Sequence, residues 1–328
     1  MEQIEAKNKK PSTRLKKTMT IILKSIAVLL IAIVVFMAVV FIVDKISSKS
    51  EEGKIHSYGQ LVPVDGKKMN VWIQGKGEET VVLLPGYGTA APALDFKPLV
   101  EELSPYYKVV AIEPFGYGLS DETEKERTTE NIVSEIHEAL QSLKIESYIL
   151  MGHSITGIYG IDYVNKYPNE VSAFVGIDSS VSTQGGMDVE FPITMFKFLK
   201  KSGLVRLALK LGSDPYAGLP HDDETKEQMR MITLKNVYNS SVMNEMENIY
   251  PNFVAAQKLT FPKNLPLLLF VQSNNADRPD WLSLHEEQAK ESMYGKVVPL
   301  EGDHYLHHTR SKEIAENFRE YMKEMKKE

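Results

Sequence analysis

The 328-residue sequence predicts an α/β fold with a mostly parallel central sheet flanked by helices, preceded by one transmembrane helix. Three observations support this fold class. Short apolar runs alternate with helix-like segments, as they do in parallel βαβ units. A long helical interval interrupts this alternation and predicts an inserted cap. An unbroken apolar run precedes the whole pattern and is long enough to cross a bilayer.

The apolar run covers residues 26–43, and its 18 residues would reach about 27 Å as a helix. Seven basic and two acidic side chains precede it, so the positive-inside rule places residues 1–24 in the cytoplasm and the rest outside the cell. We predict a single-pass helix at 25–44 and a polar linker at 45–56. A cleaved signal peptide is the alternative, but the run exceeds a signal core and residues 46–50 make a poor cleavage site.

Composition excludes several classes of function. The chain has no cysteine, which excludes a disulfide-rich scaffold, a cysteine nucleophile and thiolate metal sites. The net charge is −6, and the balance of +5 on residues 1–24 leaves −11 on the remainder. We therefore expect no nucleic-acid binding. The sequence contains no phosphate-binding or metal-ligand spacing, so we expect no cofactor and no metal.

The globular part, residues 57–328, opens with a predicted β-hairpin whose turn is Asp65-Gly66. Parallel strands and helices then alternate, and a late strand precedes a final helix. The predicted strands are at about 61–64, 69–73, 80–84, 107–113, 147–152, 172–178, 267–271 and 297–300. The predicted helices are at about 92–104, 128–143, 155–167 and 311–325.

Ser154 lies on a glycine-flanked turn, in the sequence Gly152-His153-Ser154-Ile155-Thr156-Gly157. A sharp turn between strand and helix would expose its hydroxyl as a nucleophile. The following helix points its N-terminus at this position, where free N–H groups favour developing negative charge. Thr156 stands where the usual pattern has glycine. Because a G-x-S sequence also occurs by chance, the prediction depends on other segments.

Two further segments support it. The turn Pro85-Gly86-Tyr87-Gly88 reads as an oxyanion loop, in which the N–H groups of Tyr87 and Ile155 bind the developing oxyanion. An ordinary strand-to-helix turn is the alternative. His304 follows the last strand and precedes the final helix, so we select it as the general base. Structural or surface roles are expected for His56, His137, His221 and His285, and lesser roles for His307 and His308.

Together these segments resemble the α/β-hydrolase family. The resemblance runs from about residue 57 to the C-terminus and rests on residues 85–88, 113–121, 152–157 and 302–304. It implies a nucleophile, then an acid, then a histidine along the chain. Two residues depart from the family pattern, Pro85, where relatives often have histidine, and Thr156. Neither departure removes a catalytic atom.

The acid is the least defined member of the implied triad. Relatives usually carry it after the strand that precedes the histidine strand, and Asp277 is the first carboxylate there, although Asn275 lies nearer the usual spacing. We therefore rank Asp277 first. Asp178 ranks second, because some members take the acid from the neighbouring strand. Asp280, or no acid, ranks last. Each aspartate could instead cap a helix or hydrogen-bond a loop.

The interval at about 179–263 is predicted to be a helical cap over Ser154. It contains six methionines, which either line an adaptable pocket or simply fill the core. Within it, residues 191–211 are both strongly apolar and basic. This segment either lies on a membrane surface or forms a lid helix with its lysines in water.

The sequence thus predicts a membrane-anchored serine hydrolase that acts on carboxylic esters, small or lipid-like, with medium or long acyl chains preferred. A peptidase acting at a free N-terminus, a C–C bond hydrolase and a haloperoxidase-like enzyme would use the same residues. Epoxide and haloalkane cleavage is disfavoured, because relatives with that chemistry have a carboxylate at the position of Ser154. A tethered binding protein without catalysis is the alternative from a different class.

Overall fold

The N-terminal helix is longer than the sequence predicted. In the computed structural model, which describes residues 13–327, helix α1 (Thr13–Glu52) continues past the apolar run without interruption. Residues 45–52, which we predicted as linker, form its last turns. Among the described residues, one helix is long and apolar enough to cross a membrane, over Lys16–Glu52. Residues 1–12 of the predicted cytoplasmic segment lie outside the described part.

Within residues 13–327, eight strands form one sheet. They are β1 (Gln60–Val64), β2 (Lys67–Gln74), β3 (Thr80–Leu84), β4 (Lys108–Glu113), β5 (Tyr148–His153), β6 (Val171–Ile177), β7 (Leu267–Gln272) and β8 (Gly295–Leu300). Their order across the sheet is β1-β2-β4-β3-β5-β6-β7-β8. The hairpin strands pair antiparallel with each other and β2 pairs antiparallel with β4, whereas every later pairing is parallel. The mostly parallel sheet is confirmed.

Eleven helices follow α1 in the described part of the chain. They are α2 (Pro92–Asp95), α3 (Lys97–Leu103), α4 (Thr129–Ser142), α5 (Thr156–Lys166), α6 (Ile193–Ser202), α7 (Leu204–Leu211), α8 (Asp223–Asn236), α9 (Ser240–Ala256), α10 (Trp281–Ala289), α11 (Leu306–Thr309) and α12 (Ser311–Met325). The helix predicted at 92–104 is two helices. Pro98 lies in the first turn of α3, where its missing N–H costs nothing, and it would have broken a continuous helix.

The sheet separates two layers of helices. Along β3, Val82 and Leu84 contact the layer that contains α4, α5, α9 and α10. Val81 and Leu83 point the other way, toward the layer that contains α2, α3 and α12. This alternation follows from the two-residue repeat of a strand. Both faces of the central strands are therefore buried, as their near-continuous apolar sequences require.

The interval predicted as a cap contains the four helices α6 to α9. Four of its methionines are buried, Met229, Met231, Met243 and Met246, and Met195 on α6 is 48% exposed. Met229 packs in a buried apolar cluster with Ala91 and Ile232, whereas Met231 lines a pocket beside α1. Both predicted roles, core filling and pocket lining, therefore occur.

Candidate active site

Ser154 lies between the end of β5 and the start of α5, on a sharp turn. Its φ of 52° is in the left-handed region, which is costly for a residue with a side chain. Backbone hydrogen bonds hold this conformation. The Ser154 carbonyl accepts from the N–H of Ser180 at 2.7 Å and of Gly157 at 3.0 Å. The strained turn is thus fixed from both sides and presents the Ser154 side chain, which remains partly exposed.

Thr156, which departs from the family pattern, contributes to this turn. A Cβ on Gly152 would lie only 2.0 Å from Thr156 Cγ2, so the absence of a side chain at 152 accommodates the larger residue at 156. The Thr156 hydroxyl donates to the carbonyl of Pro85 at 2.7 Å. The strand-to-helix turn is therefore joined directly to the turn at residues 85–88.

His304 lies in the loop after β8, beside Ser154. Its Nε2 is 2.9 Å from Ser154 Oγ, and its Nδ1 is 2.7 Å from Asp178 Oδ2. Because a carboxylate only accepts, Nδ1 carries the proton and Nε2 of the neutral ring is free to accept from the serine hydroxyl. The His304 side chain is 44% exposed, so a substrate can approach the pair from solvent.

The carboxylate at His304 belongs to Asp178, which follows β6 directly. Its side chain is fully buried. While Oδ2 accepts from His304, Oδ1 accepts from the backbone N–H of Gln272 at 2.9 Å and from Trp281 Nε1 at 2.7 Å. Three donors therefore orient a buried negative charge that would otherwise be costly.

The prediction that Asp277 orients His304 is wrong for this geometry. The backbone N–H of Gln272, the last residue of β7, is already used to hold Asp178. Beyond Gln272 the loop forms a turn of its own, in which Asn275 Oδ1 accepts from the N–H of Arg278 at 3.0 Å. Asp277 is left exposed, and Asp280 pairs with Arg278 at 3.2 Å. Asp178, which the sequence ranked second, occupies the position instead.

The predicted oxyanion donors lie on the two joined turns. Ile155 adopts a helical conformation just before α5, and Tyr87 lies in the turn that follows β3. Within the described part of the chain, the backbone N–H groups of Tyr87 and Ile155 have no hydrogen-bond partner. Two such groups can bind a developing oxyanion.

A family model described as alpha/beta hydrolase fold matches residues 79–217, which include the turn at 85–88 and Ser154. The chain has the α/β-hydrolase fold. Among curated proteins it is similar to the uncharacterized protein YbdG of Bacillus subtilis (strain 168). The two are 28% identical over 88% of this chain and 92% of the relative.

Other similarities are shorter or structural. The 2-(acetamidomethylene)succinate hydrolase of Mesorhizobium japonicum is 28% identical over 38% of this chain and 43% of its own length. An epoxide hydrolase of Vigna radiata has a similar structure, with a TM-score of 0.60 and 18% identity over 81% of this chain and 97% of that one. At that identity the likeness shows the fold alone. The matching family model and the relatives named as hydrolases support hydrolase activity for this chain.

Two buried networks that the sequence did not predict surround this site. In the first, Glu245 of α9 accepts from the hydroxyls of Tyr117 at 2.8 Å and Tyr159 at 2.6 Å. The Tyr117 hydroxyl also accepts from the N–H of Gly88 at 3.2 Å, and the Tyr87 hydroxyl donates to the carbonyl of Val242. Burial raises the pKa of Glu245. Helix α9 of the cap thereby braces the turn that carries the Tyr87 N–H.

The second network holds the loop of His304. Asp95 of α2 accepts from His307 Nε2 at 2.7 Å and from His308 Nε2 at 2.8 Å. Although burial opposes its ionisation, these hydrogen bonds hold the pKa of Asp95 below its usual range. The ligand atoms of the three residues lie within 4.8 Å of one another. The N-to-O distances are those of hydrogen bonds, shorter than the ~3.3 Å between two ligands of a tetrahedral metal with bonds near 2.0 Å.

His153 connects this network to His304. Its Nε2 donates to the carbonyl of His304 at 2.9 Å, and its ring packs against those of His304 and His307. Burial lowers the pKa of His153 well below its ordinary value. The ring is therefore neutral at neutral pH and does not oppose proton transfer to His304.

The remaining histidines have structural contacts, as predicted for His137, His221 and His285. His137 pairs with Glu170, His221 donates to the carbonyl of Leu94, and His285 bonds two backbone carbonyls. No sequence motif connects Asp95 to a histidine pair more than 200 positions away. Only the threefold occurrence of histidine at 304, 307 and 308 indicated that this loop is unusual.

Proposed function

We propose that this α/β-hydrolase is a membrane-anchored serine hydrolase that cleaves carboxylic esters. Ser154 would be the nucleophile, His304 the general base and Asp178 the acid. One observation carries the proposal, the continuous hydrogen-bonded chain from Ser154 Oγ through His304 to the buried carboxylate of Asp178. This constellation of nucleophile, base and orienting acid is the arrangement that serine hydrolases use on unrelated folds.

The reaction proceeds in two halves. Ser154 Oγ attacks the carbonyl carbon of the ester while His304 Nε2 takes the hydroxyl proton. The negative oxygen of the tetrahedral intermediate lies between the N–H groups of Tyr87 and Ile155, each contributing about 3–4 kcal/mol. The C–O bond then breaks, and the alcohol leaves with the proton from His304. A water molecule repeats the sequence on the acyl-serine and releases the carboxylic acid.

The surroundings of Asp178 favour an enzyme over a binding protein that merely keeps the scaffold. The alternative of a non-catalytic binding protein depends mainly on the sequence not defining the acid of the triad. Asp178 is instead held by Gln272 and Trp281 in addition to His304. A carboxylate oriented in this way stabilises a charged imidazole, which catalysis requires and passive binding does not.

The anchor belongs to the same proposal. The exposed apolar surface of α1 over the run 26–43 suits a lipid environment, and the basic side chains before it favour a cytoplasmic N-terminus. A signal sequence can have similar length and composition. We propose the uncleaved form, with residues beyond the anchor outside the cell, so that amphiphilic esters with medium or long acyl chains are the preferred substrates.

Turnover of a substrate panel by the purified full-length protein tests the reaction class. We expect hydrolysis of acyl esters, faster for octanoyl than for acetyl, and little hydrolysis of aminoacyl amides. Ser154→Ala should abolish turnover without changing the thermal midpoint. An enzyme that cleaved only aminoacyl amides, or an active Ser154→Ala protein, would contradict the proposal.

A further inference from the structure

The cap is fastened to the part of α1 that lies beyond the apolar run. Arg206 of α7 is 5% exposed and donates from its guanidinium to three side chains of α1. These are Asp44 at 2.9 Å, Glu51 at 2.6 Å and Ser48 at 2.8 Å. A buried guanidinium with three directed hydrogen bonds fixes the orientation of α7 against α1.

The corner between α6 and α7 lies close to the end of the apolar run. Gly203 forms this corner with a φ of 80°. A Cβ at this position would lie 2.6 Å from Asp44 Cβ and 3.1 Å from the carbonyl oxygen of Val40. Val40 is three residues before the end of the run, about 4–5 Å along a helix. The corner is therefore level with the last turn of the apolar segment.

A stripe on α1 supports the same placement. Met37, Val40, Asp44, Ser48 and Glu51 are partly shielded, while most neighbouring residues of α1 are exposed. Their three- and four-residue spacing places them on one face of the helix. Contacts of α1 with α6, α7 and α8 account for the shielding. Met37 and Val40 of this stripe are apolar residues of the predicted span, so the cap extends to the level of the membrane boundary.

Both corner helices expose apolar side chains. Every residue of α6 is at least partly exposed, including Met195 at 48% and Phe198 at 57%. On α7, Leu209 is 36% and Leu211 is 79% exposed. Three exposed lysines accompany them, Lys197, Lys201 and Lys210. Helix α6 leads into the corner, whereas α7 leads away from it along α1, because Leu209 lines a pocket with Glu51, beyond the apolar run. Apolar and basic side chains on a short helix next to the end of an apolar span match the composition of interfacial membrane-binding segments.

We propose that α6 and the corner at Gly203 form a membrane-binding surface that seats the cap on the leaflet from which α1 emerges. The exposed apolar side chains enter the boundary between headgroups and acyl chains, and the lysines contact lipid phosphates. This inference rests on the membrane anchoring proposed above. It adds that the catalytic domain does not swing freely on its anchor, because Arg206 and Gly203 fix the cap against α1.

Depth measurements on the full-length protein in lipid nanodiscs test this surface. Because the chain has no cysteine, single substitutions can carry one fluorophore each. The test position is Phe198→Cys, with Met195→Cys, 48% exposed on α6, as a second. Val39→Cys, 53% exposed in the apolar run of α1, reports anchoring. Met293→Cys, 71% exposed beside the start of β8, is the control on the domain. Each labelled protein must hydrolyse a soluble short ester at the rate of the unsubstituted protein.

Lipids brominated near the top of the acyl chains should quench the probes at 198 and 195 to an extent comparable with the probe at 39. The probe at 293 should keep its fluorescence. Quenching at 39 without quenching at 198 or 195 would overturn the proposed surface and leave the anchor intact; a protein partner would then be the occupant of this face. Absence of quenching at 39 as well would overturn the anchor, and the surface with it.

Discussion

Asp178 and Asp277 differ in the neighbours that hold their carboxylates. In an Asp178→Asn protein, the side-chain oxygen would remain with the Gln272 N–H and Trp281 Nε1, turning the amide NH₂ toward His304. His304 Nδ1 would then have to accept, which places the ring proton on Nε2, facing Ser154. We expect turnover to fall on the order of 10⁴-fold in steady-state assays, because the ring is in the wrong tautomer and its charged form has lost its counter-ion.

Asp277→Asn is the matched control. Asp277 is exposed and makes no contact with His304, so turnover should stay close to that of the unsubstituted enzyme. If Asp277→Asn were the inactive protein and Asp178→Asn the active one, the loop after β7 would have to reach His304 in the working enzyme, and the assignment of Asp178 would be wrong.

His153 makes stability depend on pH. Its pKa in the folded protein is lowered by burial, whereas in the unfolded chain it titrates near the ordinary value of about 6.5. Below that pH the unfolded chain binds a proton that folded His153 does not. The free energy of unfolding therefore falls as pH decreases from about 6.5 toward the folded pKa, by up to about 1.4 kcal/mol per pH unit.

His153→Gln should remove this contribution while keeping a donor for the His304 carbonyl. Thermal midpoints of the detergent-solubilised protein at pH 7.0 and 5.5 measure the slope. We expect a smaller decrease for His153→Gln than for the unsubstituted protein. Equal slopes for the two proteins would show that His153 does not resist protonation in the folded state.

At the scale of elements, the junction of β5 and α5 requires a missing side chain at Gly152. Gly152→Ala would push its Cβ into Thr156 Cγ2 and displace the start of α5, which carries the Ile155 N–H. Overpacking of this kind costs about 1–3 kcal/mol, and a displacement near 1 Å lowers turnover on the order of 10²-fold.

The double variant Gly152→Ala/Thr156→Gly removes the clash and should recover much of the turnover, although it loses the hydroxyl bond to Pro85. Gly218→Ala, at a cap position with open space around the added methyl group, should behave as the unsubstituted enzyme. No recovery in the double variant would mean that Gly152 is needed for a reason other than the size of Thr156.

The contact between α1 and α7 depends on Arg206. Arg206→Met would leave Asp44 and Glu51 without their shared partner, at a cost of about 2–4 kcal/mol in a setting that is mostly buried. Arg230→Met breaks a pair with Asp214 in which both side chains are 35% exposed, and such solvent-screened pairs contribute little to stability. Differential scanning calorimetry should show a clearly larger decrease in midpoint for Arg206→Met. Equal decreases would mean that the cap is not fastened through Arg206.

Elements were more predictable from the sequence than the contacts between them. The buried strands are near-continuous apolar runs, and the Asp65-Gly66 hairpin and the helix at 311–325 have local signals. The linker prediction was wrong because a polar composition alone does not end a helix. Residues 45–52 contain no glycine or proline, and the first helix-breaking residue is Gly53, a signal that was available in the sequence.

The acid could not be placed in the same way. Asp178 and His304 are 126 positions apart. Whether the carboxylate beside His304 comes from the end of β6 or from the loop after β7 depends on the conformation of residues 273–280, which has no local sequence signal. The Asp95 and Glu245 networks are likewise formed by residues distant in sequence. By contrast, strand, turn and helix signals surround Ser154 and His304 locally, and the structure places the two side chains 2.9 Å apart.

At the scale of the whole molecule, charge is distributed in a way that suits a membrane-facing cap. Residues 25–328 carry a net charge of −11, yet α6 carries the exposed Lys197 and Lys201 next to the end of the apolar run of α1. An acidic body is repelled by an anionic bilayer surface, whereas this local basic patch is attracted to it. The orientation proposed for the cap therefore agrees with electrostatics as well as with the contacts of α1.

The account as a whole depends on Ser154 being an activated nucleophile. Covalent labelling of the full-length protein with a fluorophosphonate, located by mass spectrometry of its peptides, measures this most directly. We expect one adduct, on Ser154, with loss of labelling in Ser154→Ala and strong slowing in His304→Ala. An unreactive protein, or undiminished labelling of Ser154→Ala at another serine, would contradict the proposed nucleophile.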